Sequence, residues 1–471
     1  MFIPELSGMT PMLAVLFIVC LVLVFAFEFV NGFHDTANAV ATVIYTKSLK
    51  PVHAVIWSGT WNFIGVVASS YMGLTVAVKI ANLLPVEALM GHGVSHGVAM
   101  VLAVLVAAMV WNLGTWYFGI PCSSSHTLIG SILGVGLAFS SMPENIDKVG
   151  VNWGEAKNIA NALLFSPLFG FSMAITLMLV FRSFVSNKQI FKEPKPDSKP
   201  PIWIRAILIT TCTLVSYAHG GNDGQKGVGI VLIILMTFAP LKFALSPAFD
   251  SDKALQSLTS IENALPSRDT SVISPFKELT LTVKTIEQLK LDIVQGAVST
   301  DIKTRLGIRK RLNILTKSAL VLVEEPNVIA SEDARNTIRT EVQHLKQYTN
   351  YAPFWIFIMV SVALGLGTMI GWKRIVVTLG EKIGKRHMTY AEGATAEVIG
   401  ATTILLATQY GLPVSTTHVL SSGIAGSMVA SKGVKNLQSG TIGNIALAWV
   451  LTLPATMALS GGFYLLFRMF A

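Results

Sequence analysis

Long apolar stretches interrupted by short polar motifs set the character of this chain. The first runs from Pro11 to Val30, and others follow at 52–83, 95–118, 122–141, 157–182, 203–219, 225–246, 353–372, 391–410, 412–430 and 441–468. About 20 apolar residues cross a hydrocarbon core of about 30 Å as a helix. The pattern therefore predicts an all-α polytopic membrane protein. It changes at 247–350, where apolar positions recur at helical spacing (Ile286, Leu289, Ile293; Leu306, Leu312, Leu315) among 14 Lys/Arg and 13 Asp/Glu. That stretch reads as a soluble helical insert. Asn187–Pro200, rich in Lys and Pro, reads as an extended, solvated linker.

Composition agrees. Of 471 residues, 52% are hydrophobic and 13% charged, against about 25% charged in soluble domains. The net charge of +9 fits Lys and Arg gathered in cytoplasmic loops, so a nucleic-acid partner is not expected. Cys20, Cys122 and Cys212 all lie in apolar segments, which argues against a disulfide framework or metal cluster. His92 and His96, spaced i, i+4 among glycines, read as a loop or the start of a helix rather than a metal pair.

Two motifs occur twice. GIPCSSSHTLIGSILG (Gly119–Gly134) pairs with GLPVSTTHVLSSGIAG (Gly411–Gly426), an offset of 292. NGFHDTANAVA around His34 pairs with HGGNDGQKGVG around Asn222, an offset of 188 when Gly32 is set on Gly220. The offsets differ by 104, the length of the segment 247–350. One insertion thus reconciles both pairs, which predicts two related halves. The expected organisation is a first membrane repeat at 1–182, a basic linker at 183–202, a second repeat at 203–246 and 351–471, and the insert at 247–350.

The duplicated residues suggest chemistry. Asp35 and Asp223 each follow a long apolar run, and carboxylates at membrane depth usually mark ion or proton paths. Gly32, Gly220, Gly221, Gly224 and Gly227 are expected to let the backbone unwind there, beside His34 and Asn38 in one half and Asn222 and Lys226 in the other. Carboxylates with unwound carbonyls suit a hard cation or a proton. Ser123, Ser124, Ser125 and Ser415, Thr416, Thr417 open apolar helices, where free N–H groups and the positive dipole end favour anions. An anion 4 Å from a carboxylate is repelled by about 4 kcal/mol at an effective dielectric near 20. A cation or proton on the carboxylate removes that cost, which points to symport of an oxyanion with positive ions. Asn62 and Asn112 read as bridges between helices, and Glu392 and Glu397 as exposed near the interface. A basic cluster from Lys373 to Arg386 lies three apolar segments beyond the linker. An odd number of crossings would separate two basic regions, so one segment is expected to be broken or re-entrant.

NGFHDTANAVATVIYTKSL and SYAHGGNDGQKGVG resemble the two signature copies of the inorganic phosphate transporter (Pit) family, nearest its bacterial PitA-type members. GIPCSSSHTLIG and GLPVSTTHVLSS resemble that family's Ser/Thr-rich re-entrant hairpins. The resemblance implies two inverted repeats with broken helices, a homodimer in the bilayer of the cell's inner membrane, inorganic phosphate near the midplane, and no enzymatic activity or cofactor. It places the coupling ion at Asp35, Asp223 and His34, with Asn38 and Asn222 assisting or touching substrate. It gives the phosphate oxygens to Ser123, Ser124, Ser125, Thr127, Ser415, Thr416 and Thr417. Lys226 and His34 stand where sodium-coupled relatives tend to carry Asn. That favours protons over sodium, with Lys226 on Asp223 or phosphate, and leaves open phosphate travelling as a neutral divalent-metal complex. Sodium coupling, another oxyanion such as sulfate, and a passive anion channel remain the alternatives.

Overall fold

The computed structural model describes residues 9–84, 94–145, 150–195, 199–266, 277–294, 301–325 and 327–470; His92 falls outside them. Its described elements are helical, apart from an isolated bridge between Gly384 and Leu437. The chain divides into two compact units, one comprising the residues up to Ile234 with Pro353–Ala471, the other Leu235–Ala352.

In the first unit lie α1 (Pro11–Tyr45), α2 (Pro51–Met72), α3 (Thr75–Ala81), α4 (Val94–Tyr117), α5 (Ser124–Ser140), α6 (Trp153–Phe184) and most of α7 (Ile202–Phe238). After the second unit come α12 (Phe354–Ile370), α13 (Lys373–Glu381), α14 (Tyr390–Gln409), α15 (Thr416–Lys432) and α16 (Ser439–Phe467). Five described helices are long and apolar enough to cross a membrane, and up to seven if each sharply bent pair is one span.

The expected unwinding at the polar motifs does not occur. α1 is helical through NGFHD and α7 through HGGNDGQKG. The reason lies in where the polar groups point. In α1 the buried residues Glu28, Asn31, Asp35, Asn38 and Thr42 recur at helical spacing, so they form one inward stripe and the ladder needs no break. The glycines serve approach, not unwinding. A Cβ on Gly220 would lie 2.1 Å from Asn62 O, one on Gly32 2.5 Å from Thr368 N, and one on Gly367 1.9 Å from Phe29 O. Such small-residue contacts let helices pack backbone to backbone.

This continuity also resolves the odd crossing count. The apolar runs 203–219 and 225–246 are largely one helix, α7. Two apolar helices, α7 and α12, then lie between the linker and the basic cluster in place of three apolar runs. Hydrogen bonds bring each of these two basic regions to the end of α15. Arg182 Nη1 donates to Ala430 O (2.9 Å) and Ser431 O (3.2 Å) at the end of α15. Just beyond, Lys385 N–H donates to Asn436 O (2.7 Å). The linker is not wholly extended, because Lys188–Phe191 form a 3-10 turn capped by Asn187, with Ile190 buried.

The second unit holds α8 (Ser251–Ala264), α9 (Lys277–Val294), α10 (Ile302–Val323) and α11 (Glu332–Thr349). Leu258, Ile286, Leu289, Leu312, Leu315 and Ile338 build its core, while Leu306 stays half-buried. This unit extends beyond 247–350 because Leu245 joins that core and Ser246 N–H donates to Tyr348 O (2.8 Å).

Candidate ion and anion site

The two Asp copies converge. Asp35 from α1 and Asp223 from α7 are 2% and 1% exposed, and His219 stands between them. His219 Nε2 is 2.9 Å from Asp35 Oδ2 and 3.3 Å from Asp223 Oδ2. Helical geometry explains the second contact, since 219 and 223 are i, i+4 neighbours on one face. Thr416 Oγ1, from the start of α15, lies 3.2 Å from the same nitrogen. Three oxygens thus surround Nε2. The ligand atoms of Asp35, His219 and Asp223 lie within 4.8 Å of one another, close enough to share one cation.

Lys226, a further i+3 along α7, completes the cluster. Its Nζ lies 2.6 Å from Asp223 Oδ1 and 3.1 Å from Val414 O, and it donates to Ser125 Oγ. Ser125 Oγ in turn donates to Val414 O (2.8 Å). Through Lys226 and His219 the carboxylates are linked to both Ser/Thr motifs, at Ser125 of α5 and Thr416 of α15.

The two motifs are built alike. Gly119 and Gly411 adopt φ of +67° and +65°, which only glycine takes without strain. Each turn leads to a helix of 17 residues capped by the matched serine. Ser123 Oγ accepts from His126 N–H (3.2 Å) and Ser415 Oγ from His418 N–H (3.1 Å). The ring centroids of these two histidines are 4.5 Å apart. α5 packs on α16, while α15 packs on α6, so each of the two capped helices leans on a long helix far away in the chain.

A family profile described as phosphate transporter family matches residues 31–460. The low-affinity inorganic phosphate transporter PitA of Escherichia coli is 38% identical over 97% of this chain and 98% of its own length. PitB of the same organism is 37% identical over 95% and 96%. The chain belongs to the phosphate transporter family. A solved sodium-dependent phosphate transporter shares the fold, with a TM-score of 0.55 at 21% identity over 97% of this chain and 100% of that one. Its relatives in the phosphate transporter family are carriers rather than enzymes.

Not every expected site residue joins the cluster. His34, expected beside Asp35, points elsewhere, with Nε2 3.0 Å from Asn112 O. Asn112 also donates to Ser124 Oγ (3.3 Å), and Asn62 to Thr368 Oγ1 (2.8 Å), so both amides bridge helices. Thr127 folds back onto its own helix and donates to Ser123 O (3.1 Å). Asn38 reaches α15 and donates to Thr417 Oγ1 (3.1 Å). Asn222 donates to Thr408 Oγ1 (2.9 Å) and Leu412 O (3.2 Å). The carbonyl oxygens of Asn38 and Asn222 are buried without a partner among the described residues.

Four other buried groups were missed or misplaced in the sequence reading. His219 was signalled by its i, i+4 spacing to Asp223. Glu28 is buried in α1, accepts from Asn31 Nδ2 (3.4 Å) and abuts Gly227. Glu397, expected to be exposed, is buried and accepts from Thr42 and Thr211 of two other helices. Glu392 is buried as well, because it closes a capping box with Thr389.

Proposed function

We propose that this chain imports inorganic phosphate across the inner membrane by symport with protons, as two inverted repeats and as a homodimer. The observation that carries the reading is Lys226. Its ammonium joins Asp223 to Ser125 at the N-terminus of α5, so one side chain touches both the carboxylate and the anion-favouring helix end. A proton on Asp223 weakens that ion pair and frees Lys226 for a phosphate oxygen. It also removes the repulsion of about 4 kcal/mol between anion and carboxylate. Phosphate then meets Lys226, Ser125, Thr416, Thr417 and the dipole ends of α5 and α15. Ser123 and Ser415 act through capping, holding those ends in shape. A neutral complex of phosphate with a divalent metal fits the same site, the metal facing Asp35, His219 and Asp223.

Sodium coupling is the second reading. The unpartnered carbonyl oxygens of Asn38 and Asn222 favour it, since hard cations take such ligands. Phosphate uptake into sealed vesicles under imposed gradients separates the two. A proton gradient alone should drive accumulation, and Asp35→Asn and Asp223→Asn should each abolish it at normal membrane expression. Accumulation driven by sodium at fixed pH would overturn the proton assignment. Uptake surviving both substitutions would remove the carboxylates from the mechanism.

A further inference from the structure

A cavity of about 660 Å³ opens at the Gly119 turn rather than over the buried carboxylates. Trp116 and Tyr117, at the end of α4, form one wall. Lys373, Arg374 and Thr378 of α13, with Lys382 just after it, form the other. None of its described lining residues is acidic. Three cations thus share one hollow without a carboxylate of their own.

The hollow is built, not incidental. Arg374 Nη1 donates to Tyr117 O (2.7 Å), and its guanidinium lies 5.4 Å from the Trp116 ring and 5.0 Å from the Tyr117 ring. Trp116 Nε1 donates to Gly371 O (2.7 Å), and Thr378 Oγ1 to Gly119 O (2.9 Å). These contacts fix the walls and leave the Lys373 and Lys382 ammoniums in no ion pair among the described residues. The rim is apolar, with Tyr117, Phe118 and Ile370 60%, 74% and 62% exposed.

We infer that this cavity is a second anion site, which takes a phosphate group outside the transport centre. Basic hollows between membrane helices on the cytoplasmic side suit anionic headgroups, and the aromatic rim suits the interface, where acyl chains begin. Phosphate reaches such a site either on a phospholipid or as the free ion.

Lys373→Gln/Lys382→Gln tests the assignment, because it removes two charges and keeps the Arg374 wall. One arm measures phosphatidic acid retained by the full-length protein in phosphatidylcholine nanodiscs, by native mass spectrometry. The other titrates inorganic phosphate into protein in pure phosphatidylcholine. Each lysine near an anionic surface contributes about fivefold, so the double variant should bind about thirtyfold more weakly in the arm that reports the true ligand. Weakening in the lipid arm identifies a headgroup site, and weakening in the phosphate arm a site for the free ion. Asp223→Asn serves as the reference for the central site and should leave lipid retention unchanged. Equal affinity of wild type and a monodisperse double variant in both arms overturns the inference.

Discussion

Lys226 stands where the other copy of the Asp motif has Asn38, so the two copies differ there in charge. Its ammonium is surrounded by a carboxylate, a hydroxyl and a carbonyl oxygen, a ligand set a small cation would also accept. Lys226→Asn takes away the tethered charge and adds one more neutral oxygen ligand. Uptake by that variant is expected to become sodium-stimulated, read as phosphate accumulation with and without a sodium gradient at fixed pH. A variant that stays sodium-indifferent while binding phosphate would show that the ammonium does not stand in for a cation. Lys226→Met is harsher, because it leaves Asp223 with His219 alone. Removing one partner of a buried ion pair costs about 3–5 kcal/mol, which thermal unfolding in detergent should register. Asp35, Asp223 and Lys226 were legible in the sequence because charges inside apolar runs stand out. Glu397 was not, because its two Thr partners come from helices far away in the chain.

At the scale of elements, the matching turns were legible and helix continuity was not. The repeated Gly-x-Pro motifs marked the paired glycine turns and the two serine-capped helices after them. Glycine next to polar residues, however, signals unwinding and close packing equally well. Only the neighbouring helix decides, and a single sequence does not name that neighbour. The packing role has a direct test. Gly367→Ala puts a methyl 1.9 Å from Phe29 O, and forcing α1 and α12 apart should cost about 1–3 kcal/mol. Gly443→Ala on α16 meets nothing within 4 Å and should stabilise by about 0.5–1 kcal/mol, since alanine loses less freedom in a helix. Opposite shifts in melting temperature are expected, and a shared sign would contradict the packing account.

Two helices of the second unit carry their own pH response. Asp250 accepts from Asp252 N–H (3.0 Å) and Lys253 N–H (3.1 Å), capping α8. Asp301 accepts from the Thr304 hydroxyl (2.6 Å) and backbone N–H (2.9 Å), capping α10. These bonds hold both carboxyls below the ordinary 3.8, chiefly the Lys253 N–H for Asp250 and the Thr304 hydroxyl for Asp301. A depressed pKa means the caps contribute fully above the unfolded value and fade as pH falls through the folded one. Amide exchange in the first turns of α8 and α10 should therefore quicken below pH 3.8, beyond the intrinsic change, and Asp250→Asn should flatten that response in α8. Equal acid response in wild type and Asp250→Asn would mean the cap does not titrate as argued.

For the whole molecule, the decisive question is which residues share a side of the membrane. Counting apolar runs gives three segments between linker and basic cluster, which keeps both on one side only where one segment is broken or re-entrant. The structure replaces two of those runs with one helix of 37 residues, about 55 Å long at 1.5 Å per residue. That length lets α7 cross a core of about 30 Å with its charged stripe in the middle. Arg205 Nε donates to Ser48 O (3.1 Å), which brings the end of α1 to the same level as the start of α7. Lys47, Lys188, Lys385 and Lys435 should then all face one compartment, and the bias of Lys and Arg makes it the cytoplasm. Single cysteines at these four positions, in a chain freed of Cys20, Cys122 and Cys212, test the arrangement. In right-side-out vesicles an impermeant maleimide should leave all four unmodified, and in inverted vesicles it should modify all four. Labelling of Lys188→Cys and Lys385→Cys from opposite sides would mean that α7 does not cross as a single helix, and the meeting of Asp35 with Asp223 that depends on it would fall with it.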